Sequence, residues 1–340
     1  MKAKNKQMNY VIIAFSAVRS LFDQGAKLRT CPTSRRRWVI SAAGGGKTTR
    51  VVEQALSAEE GATALVNYTR NNVREIELKI YEHYQAVPAH VEILSWYSLL
   101  LRELARPYRS SMHKHWIGGI HWVEGKSAQF VPEIKTDPHY FLDSRRIYSD
   151  KIAKFICACE AKSGGAVMRR LKQRFRHIII DEVQGMAGYD LNMLELILKA
   201  GILVTLVGDH GQAILSTNNS PMNKKFASPA IIEKFEAWTK AGLAAIEYET
   251  HTHRCNQPIV DLGDSFFLNE PKTISKNETV TGQDGVFLVS SANIDEYVKR
   301  FAPQALRYNA KTVCGALDAL NFGEAKGILL PLGTLLSLGT

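Results

Sequence analysis

The sequence predicts an α/β fold, a parallel β-sheet flanked by helices, and three stretches predict it. Residues 38–50, WVISAAGGGKTTR, carry a short apolar strand into three glycines and then into a helical pattern. Residues 175–186, FRHIIIDEVQGM, drive three isoleucines into two adjacent carboxylates. Residues 202–214, ILVTLVGDHGQAI, repeat the arrangement after a helical segment, LNMLELILKA, at residues 191–200. Short runs that are apolar throughout, rather than alternating, belong to strands buried on both faces, as in the middle of a parallel sheet. Strand, helix and strand in succession imply right-handed crossovers.

At 340 residues with 45% apolar content, the chain can bury a full core, in two domains or one large one. Its net charge of +10 points to an anionic partner, of which nucleic acid is the usual kind. The five cysteines, Cys31, Cys157, Cys159, Cys255 and Cys314, are odd in number and scattered, and the C-x-C pair lacks a second pair at metal-ligand spacing. Free thiols in a reducing cytoplasm are expected. Residues 10–18, YVIIAFSAV, follow several lysines as a signal peptide's apolar core would, but the run is short, Arg19 follows it, and no A-x-A cleavage site is present. No run approaches the roughly 18 apolar residues of a membrane span, so no membrane partner is expected.

In the first stretch, backbone N–H groups of the glycine turn and the positive end of the next helix point at anionic oxygens, and only small residues let phosphates approach. The expected phosphate cradle is Ala43, Gly44, Gly45, Gly46, Lys47, Thr48 and Thr49, with Lys47 reaching the β- and γ-phosphates and the Thr48 hydroxyl serving Mg²⁺. The pattern G-x-x-x-x-G-K-[ST] would place glycine at position 41, where Ser41 stands. The helix that follows, RVVEQALSAEEGA, is placed to end at Gly61. A plain glycine turn between strand and helix is the alternative.

Ligands of open parallel sheets sit beyond the carboxyl ends of the strands. Asp181, at the end of HIII, should therefore face the glycine turn across a nucleotide and hold Mg²⁺, while Glu182 polarises the attacking water. General-base help of this kind contributes about 10²- to 10⁴-fold in rate. Capping of the helix near Tyr189 is the structural alternative. Gln212, just past the third strand, is placed to touch a γ-phosphate or its water; an ordinary polar turn is the alternative.

In this order, the segments resemble the superfamily-one DNA helicases of the UvrD/Rep type. DEVQ at residues 181–184 matches that family's DExQ motif, and VGDHGQAI matches its G-D-x-x-Q-x-I motif through Gly208, Asp209, Gln212 and Ile214. The resemblance implies a P-loop NTPase with a RecA-like parallel sheet, using ATP and Mg²⁺, and it accommodates Ser41. TALVNYTRNNVREI at residues 63–76 resembles the segment that contacts single-stranded DNA, which makes Tyr68, Thr69 and Asn71 expected DNA-binding residues. SWYS at residues 95–98 stands where the family has a T-F-H-like element, with Trp96 and Tyr97 available for base stacking. YETHTHRCNQPIVDLGDSF at residues 248–266 is similar to the tyrosine/asparagine-arginine motif and makes Arg254 the candidate finger on the γ-phosphate, beside Lys47, Glu182 and Gln212 in the catalytic set. The chain departs from the family in three places. The adenine-reading glutamine has no clear counterpart, Gly185 replaces the acid after DExQ, and residues 321–340 begin like A-K-G-L-E-F at Ala325, Lys326 and Gly327 before turning Leu/Gly-rich.

The same map predicts a first RecA-like domain over residues 1–245, with a small accessory insertion at about 103–165, and a partial second RecA-like domain over 246–340, truncated or shifted in frame. His113, His115 and His121 do not complete a zinc spacing and are expected at the surface, and Trp116 and Trp122 could stack bases or, as is commoner at that density, belong to the insertion's core. Arg169, Arg170, Lys172, Arg174 and Arg176 form a basic run that is either a strand contact or a solvated helix face. The resemblance implies a cytoplasmic ATP-dependent helicase or translocase moving 3′ to 5′ on single-stranded DNA. Two alternatives stand beside it: a truncated nucleotide-binding or interaction protein without turnover, and an ATPase component of a phage-defence or repair complex with a nuclease partner.

Overall fold

The computed structural model describes residues 9–15, 36–41, 44–58, 61–212, 217, 220–226, 230–279, 285–307, 310–311, 317–321 and 333–337. The chain divides into two compact units. The larger comprises Thr30–Ser41 and Lys47–Tyr248; the smaller comprises Met1–Arg29, Ala42–Gly46 and Glu249–Thr340.

In chain order the strands are β1 (Asn9–Phe15), β2 (Arg36–Ser41), β3 (Thr63–Asn67), β4 (Val91–Ser95), β5 (Gly119–His121), β6 (Arg146–Tyr148), β7 (His177–Ile180) and β8 (Leu203–Gly208). They continue with β9 (Ala245–Glu249), β10 (His251–Thr252), β11 (Ile274–Ser275), β12 (Gly285–Ser290), β13 (Gln304–Arg307), β14 (Ala319–Asn321) and β15 (Gly333–Ser337). The larger unit is built on a six-stranded sheet in the order β4-β3-β7-β8-β2-β9. The pairs β4/β3, β3/β7, β7/β8 and β8/β2 are all parallel. This is the mixed α/β architecture that the apolar runs predict.

Successive side chains on a strand point to opposite faces, and each run is apolar enough to fill both. Ala64, Val66, Ile178, Ile180 and Leu206 join one core. Leu65, Ile179 and Val207 join a second, with Val51, Val52, Ala55, Ile76 and Ile80 from the helices α1 (Lys47–Leu56) and α2 (Arg70–Tyr84). The other face is covered by the helices Ile152–Lys162, Tyr189–Lys199 and Ile231–Lys240. Register sets the functional edge: Val66 pairs with Ile180, Ile180 with Leu206, and Ile40 with Gly208. The carboxyl ends of β3, β7, β8 and β2 therefore open on one rim, with β8 and β2 running two or more residues past the Val66–Ile180 row, and Asn67, Asp181, Asp209 and Ser41 stand along it.

The expected insertion folds onto the first core, with Ile117, Tyr140, Phe141 and Ile147 fully or nearly fully buried, and carries the short parallel pair β5/β6. Its tryptophans lie outside the core, against the commoner of the two readings. Trp116 and Trp122 are 49% and 57% exposed. His113 is buried, its Nδ1 is 2.7 Å from Asp137 Oδ1, its Nε2 is 2.9 Å from the Ser144 carbonyl, and its ring stacks on Phe141. Among the described residues no group of three or more His, Cys, Asp or Glu side chains could hold a metal ion.

The smaller unit has a five-stranded sheet in the order β12-β1-β15-β13-β14, with β1 antiparallel to both neighbours and β13 parallel to β15 and β14. Two expectations change here. The apolar stretch that mimics a signal peptide supplies β1, so the N-terminal residues group with the C-terminal unit rather than with the first domain, and the division falls at residues 248/249 instead of 245/246. A sheet strand needs partners and not sequence neighbours, and those partners, β12 and β15, lie far along the chain. Ala325, Lys326 and Gly327 lie outside the described residues, whereas the Leu/Gly-rich residues 333–337 form β15. Among the described residues no helix is long and apolar enough to cross a membrane.

Candidate nucleotide site and strand-contacting rim

The site of the larger unit begins where β2 ends. Lys47 opens α1 and its Nζ donates to the Ser41 carbonyl at 3.1 Å and lies 3.6 Å from Asp209 Oδ2. Its side chain is only 12% exposed, so the ammonium is held near the sheet rim rather than released to water. Thr48 and Thr49 follow in the first turn of α1, both half-buried. Ala43 lies outside the described residues.

Gly44, Gly45 and Gly46 group with the smaller unit. Gly44 has φ +75° and Gly46 φ +78°, backbone that favours glycine. A side chain on Gly44 would collide with the Arg254 Cβ and come within 3.0 Å of Thr252 Oγ1, and the Gly44 carbonyl accepts from the His253 N–H at 3.0 Å. Arg254 itself is exposed within that unit.

At the end of β7, Asp181 is 3% exposed. Its Oδ2 accepts from Asn67 Nδ2 at 3.2 Å and its Oδ1 from the Glu182 N–H at 2.9 Å. Burial first, then the neighbouring Glu182 carboxylate, push this acid up to about 7, against the pull of Lys47 and Lys79. Glu182 sits at φ 60°, ψ 35°, a left-handed conformation that a non-glycine residue holds only under constraint from its surroundings. Gln184 supplies that constraint: its Nε2 donates to Glu182 Oε2 at 2.5 Å, while its Oε1 accepts from the Asp209 N–H at 3.2 Å. Asp209 in turn accepts from Gln212 Nε2 at 2.8 Å and from the Gly211 N–H at 3.0 Å. Lys47, Asp181, Glu182 and Gln212 are thus brought to one rim.

Three residues outside the expected site set hold it together. Gln184 and Asp209 stand inside recognisable motifs, but their part, tying Glu182 to Lys47, is a matter of contact. Asn67 lies inside the segment that resembles the strand-contacting motif, but nothing in its spacing marked it as a partner of Asp181. It donates to Asp181 and accepts from both the Thr69 N–H at 3.3 Å and Asn72 Nδ2 at 3.1 Å. It therefore joins the acid to the turn expected to contact DNA.

The donor set fits a hard divalent cation. Carboxylate and hydroxyl oxygens, as on Asp181 and Thr48, are the ligands Mg²⁺ prefers, and the buried Ser41 Oγ has no hydrogen-bond partner among the described residues.

On the neighbouring rim, Thr69 caps α2, its Oγ1 accepting from the Asn72 N–H at 3.1 Å, and Asn71 is exposed in the first turn. Tyr68 and Tyr97 are half-buried with ring centroids 5.9 Å apart. Trp96 corrects the expectation of base stacking: it is fully buried, and its Nε1 donates to Asp190 Oδ1 at 3.1 Å, so its ring presents no face to a base. The basic run is largely committed to bracing. Arg170 pairs with the buried Glu103 at 3.2 Å, Arg174 with Glu92 at 2.5 Å, and Arg169 donates to the Gly164 carbonyl at 2.6 Å.

The fold and site define an α/β protein whose central parallel sheet carries a lysine, two adjacent acids and a glutamine at one rim. Residues 144–224, about a quarter of the 340, match the UvrD/REP helicase N-terminal domain, which supports a helicase-type domain. That segment includes Asp181, Glu182, Asp209 and Gln212. No curated protein sequence matches the chain. Solved structures similar to it include the nonstructural protein 10 helicase of Arterivirus, at TM-score 0.34 and 13% identity over 82% of this chain and 45% of that one. The complex of that helicase with DNA has TM-score 0.37 and 12% identity over 84% and 50%. The chain spans about half the length of these structures.

Proposed function

We propose that the protein is an ATP-dependent helicase or translocase of the UvrD/Rep type that couples ATP hydrolysis to 3′-to-5′ movement on single-stranded DNA. The observation that carries this reading is the network Lys47–Asp209–Gln184–Glu182 at the ends of three adjacent parallel strands, with Asp181 beside it. Lys47 would hold the β- and γ-phosphates. Mg²⁺, held by Thr48 and Asp181, would neutralise charge on the phosphate oxygens. Glu182 would take a proton from the attacking water as the bond between the γ-phosphorus and its bridging oxygen breaks and ADP leaves. Gln212, braced by Asp209, would orient that water, and Arg254 is the candidate finger on the γ-phosphate.

Strand contact falls to Tyr68, Thr69, Asn71 and Tyr97, on the turns that follow β3 and β4. Asn67 links this surface to Asp181, which gives a bound strand a route to the acids.

ATP turnover with and without oligothymidine tests the reading. Turnover stimulated by the oligonucleotide, and lost in Lys47→Ala and in Glu182→Gln, is the expected result. Nucleotide binding without turnover in the wild-type chain would leave a nucleotide-binding protein instead, and co-purification with a nuclease would place the ATPase in a defence or repair complex.

A further inference from the structure

Trp122 is the most exposed large aromatic along the strand-contacting rim, and its surroundings hold it there. The Ser149 N–H donates to the His121 carbonyl at 2.9 Å and the Val123 N–H donates to Ser149 Oγ at 3.0 Å, so the backbone is tied on both sides of the residue. β5 ends at His121, paired with Tyr148 of β6. The Trp122 ring meets Tyr97 edge-to-face, with centroids 4.7 Å apart and planes at 77°, and Tyr97 in turn approaches Tyr68. An indole fixed in this way is 57% exposed. Holding an apolar ring in water at one orientation gains nothing for folding, whereas a prepositioned ring lowers the ordering cost of a ligand that stacks on it.

The position of the row selects the ligand. Tyr68 and Tyr97 follow the carboxyl ends of β3 and β4, on the rim that bears Asn67 and Asp181. Both are half-buried, and the Tyr97 hydroxyl points to the Thr217 carbonyl at 3.5 Å, so each offers less face than Trp122. A flexible polymer of flat rings, passing beside the nucleotide site, fits such a row better than a folded protein face does. The chain's net charge of +10 suits an anionic backbone.

We propose that Trp122 is a base-stacking platform for single-stranded DNA, carried by the accessory insertion and backed by Tyr97 and Tyr68. This rests on the strand-binding part of the proposed function. It moves the leading aromatic role from the buried Trp96 to a residue outside the family-like segments.

The test is binding of a fluorescein-labelled oligothymidine to the full chain, followed by anisotropy in low salt. Stacking on one ring is commonly worth enough that Trp122→Ala should weaken binding about tenfold, with Trp122→Phe recovering most of the loss. Trp116→Ala, which removes another exposed indole held between Arg106 and Arg109, should leave affinity unchanged. Circular dichroism of each variant checks that the fold is kept. If the wild type binds and Trp122→Ala stays within twofold of it, the platform is overturned and strand binding stands. Equal losses from Trp116→Ala and Trp122→Ala would reflect any exposed indole and overturn it as well. If the wild type does not bind oligothymidine, the strand-binding reading and the platform fall together.

Discussion

Asn67 shows how much a single side chain can do at the rim. Its amide donates to a buried carboxylate on one side and its oxygen receives two donors from the next turn on the other. Replacing it with leucine removes a donor from a fully buried acid, which costs about 1–3 kcal/mol where no water can substitute. In Asn67→Leu the Mg²⁺ concentration for half-maximal ATP turnover should rise, because Asp181 is then harder to ionise; metal titration of the ATPase checks this. Two other buried groups set opposing pH responses. Asp190 is pushed up to about 6, first by burial and against the hydrogen bonds from Thr217 and Trp96. Its folded value exceeds the ordinary 3.8, so its stabilisation is complete below that pH and is lost as pH rises through about 6. Burial, then Arg37, push His177 down to about 4 from 6.5, so its stabilisation is present above 6.5 and lost as pH falls through 4. Urea unfolding between pH 4 and 7 should show Asp190→Asn removing the decline on the neutral side, an effect on the order of 3 kcal/mol, while leaving the acid-side loss from His177 in place.

At the scale of elements, caps and close approaches decide what the rim can hold. Thr69 was expected to touch DNA, yet its hydroxyl is also the N-cap of α2. Thr69→Ala should cost about 1 kcal/mol in stability whether or not DNA is present. Thr69→Ser keeps the capping oxygen and should restore stability; if it also restores oligonucleotide affinity, the methyl group has no part in the contact. Gly208 closes β8 with its α-carbon against Gln184, so a Cβ there would lie 2.5 Å from Gln184 Oε1 and 3.1 Å from Val183 Cγ2. Gly208→Ala should displace the Gln184 amide from Glu182 and lower ATP turnover by at least about tenfold, as small misplacements of a catalytic group do, with the circular dichroism spectrum unchanged.

For the whole molecule, the division of charge matters more than its total. The excess of +10 invites a reading in which the arginine run before β7 grips DNA, but Arg170 and Arg174 are paired with Glu103 and Glu92. Glu103 is 6% exposed and Arg170 remains partly accessible to water, so Arg170→Ala should destabilise the fold, by about 1–3 kcal/mol as a charged partner is removed, and leave oligothymidine affinity within twofold. Affinity of the wild type should fall with salt, the slope of log K against log salt being about 0.7 for each phosphate neutralised. The two measurements separate bracing charges from binding charges.

The sequence by itself determined the strands β2, β7 and β8, because runs apolar on both faces have no other stable home than a covered parallel sheet. It also determined that Lys47, Asp181, Glu182 and Gln212 follow those strands within a few residues, because the motifs are local and a strand's end is a local event. What only the tertiary structure decided was everything that depends on contact at long separation. The apolar stretch near the N-terminus became β1 by pairing with β12 and β15, nearly the whole chain away. Trp96 is buried and Trp122 exposed because a tryptophan's burial depends on what packs over it: Asp190, 94 residues on, receives the Trp96 indole, while Trp122 meets Tyr97 edge-to-face and stays open to solvent. Asn67, Gln184 and Gly208 owe their parts to groups that meet across the ends of neighbouring strands. No window of sequence contains that register, because hydrogen bonding between strands sets it.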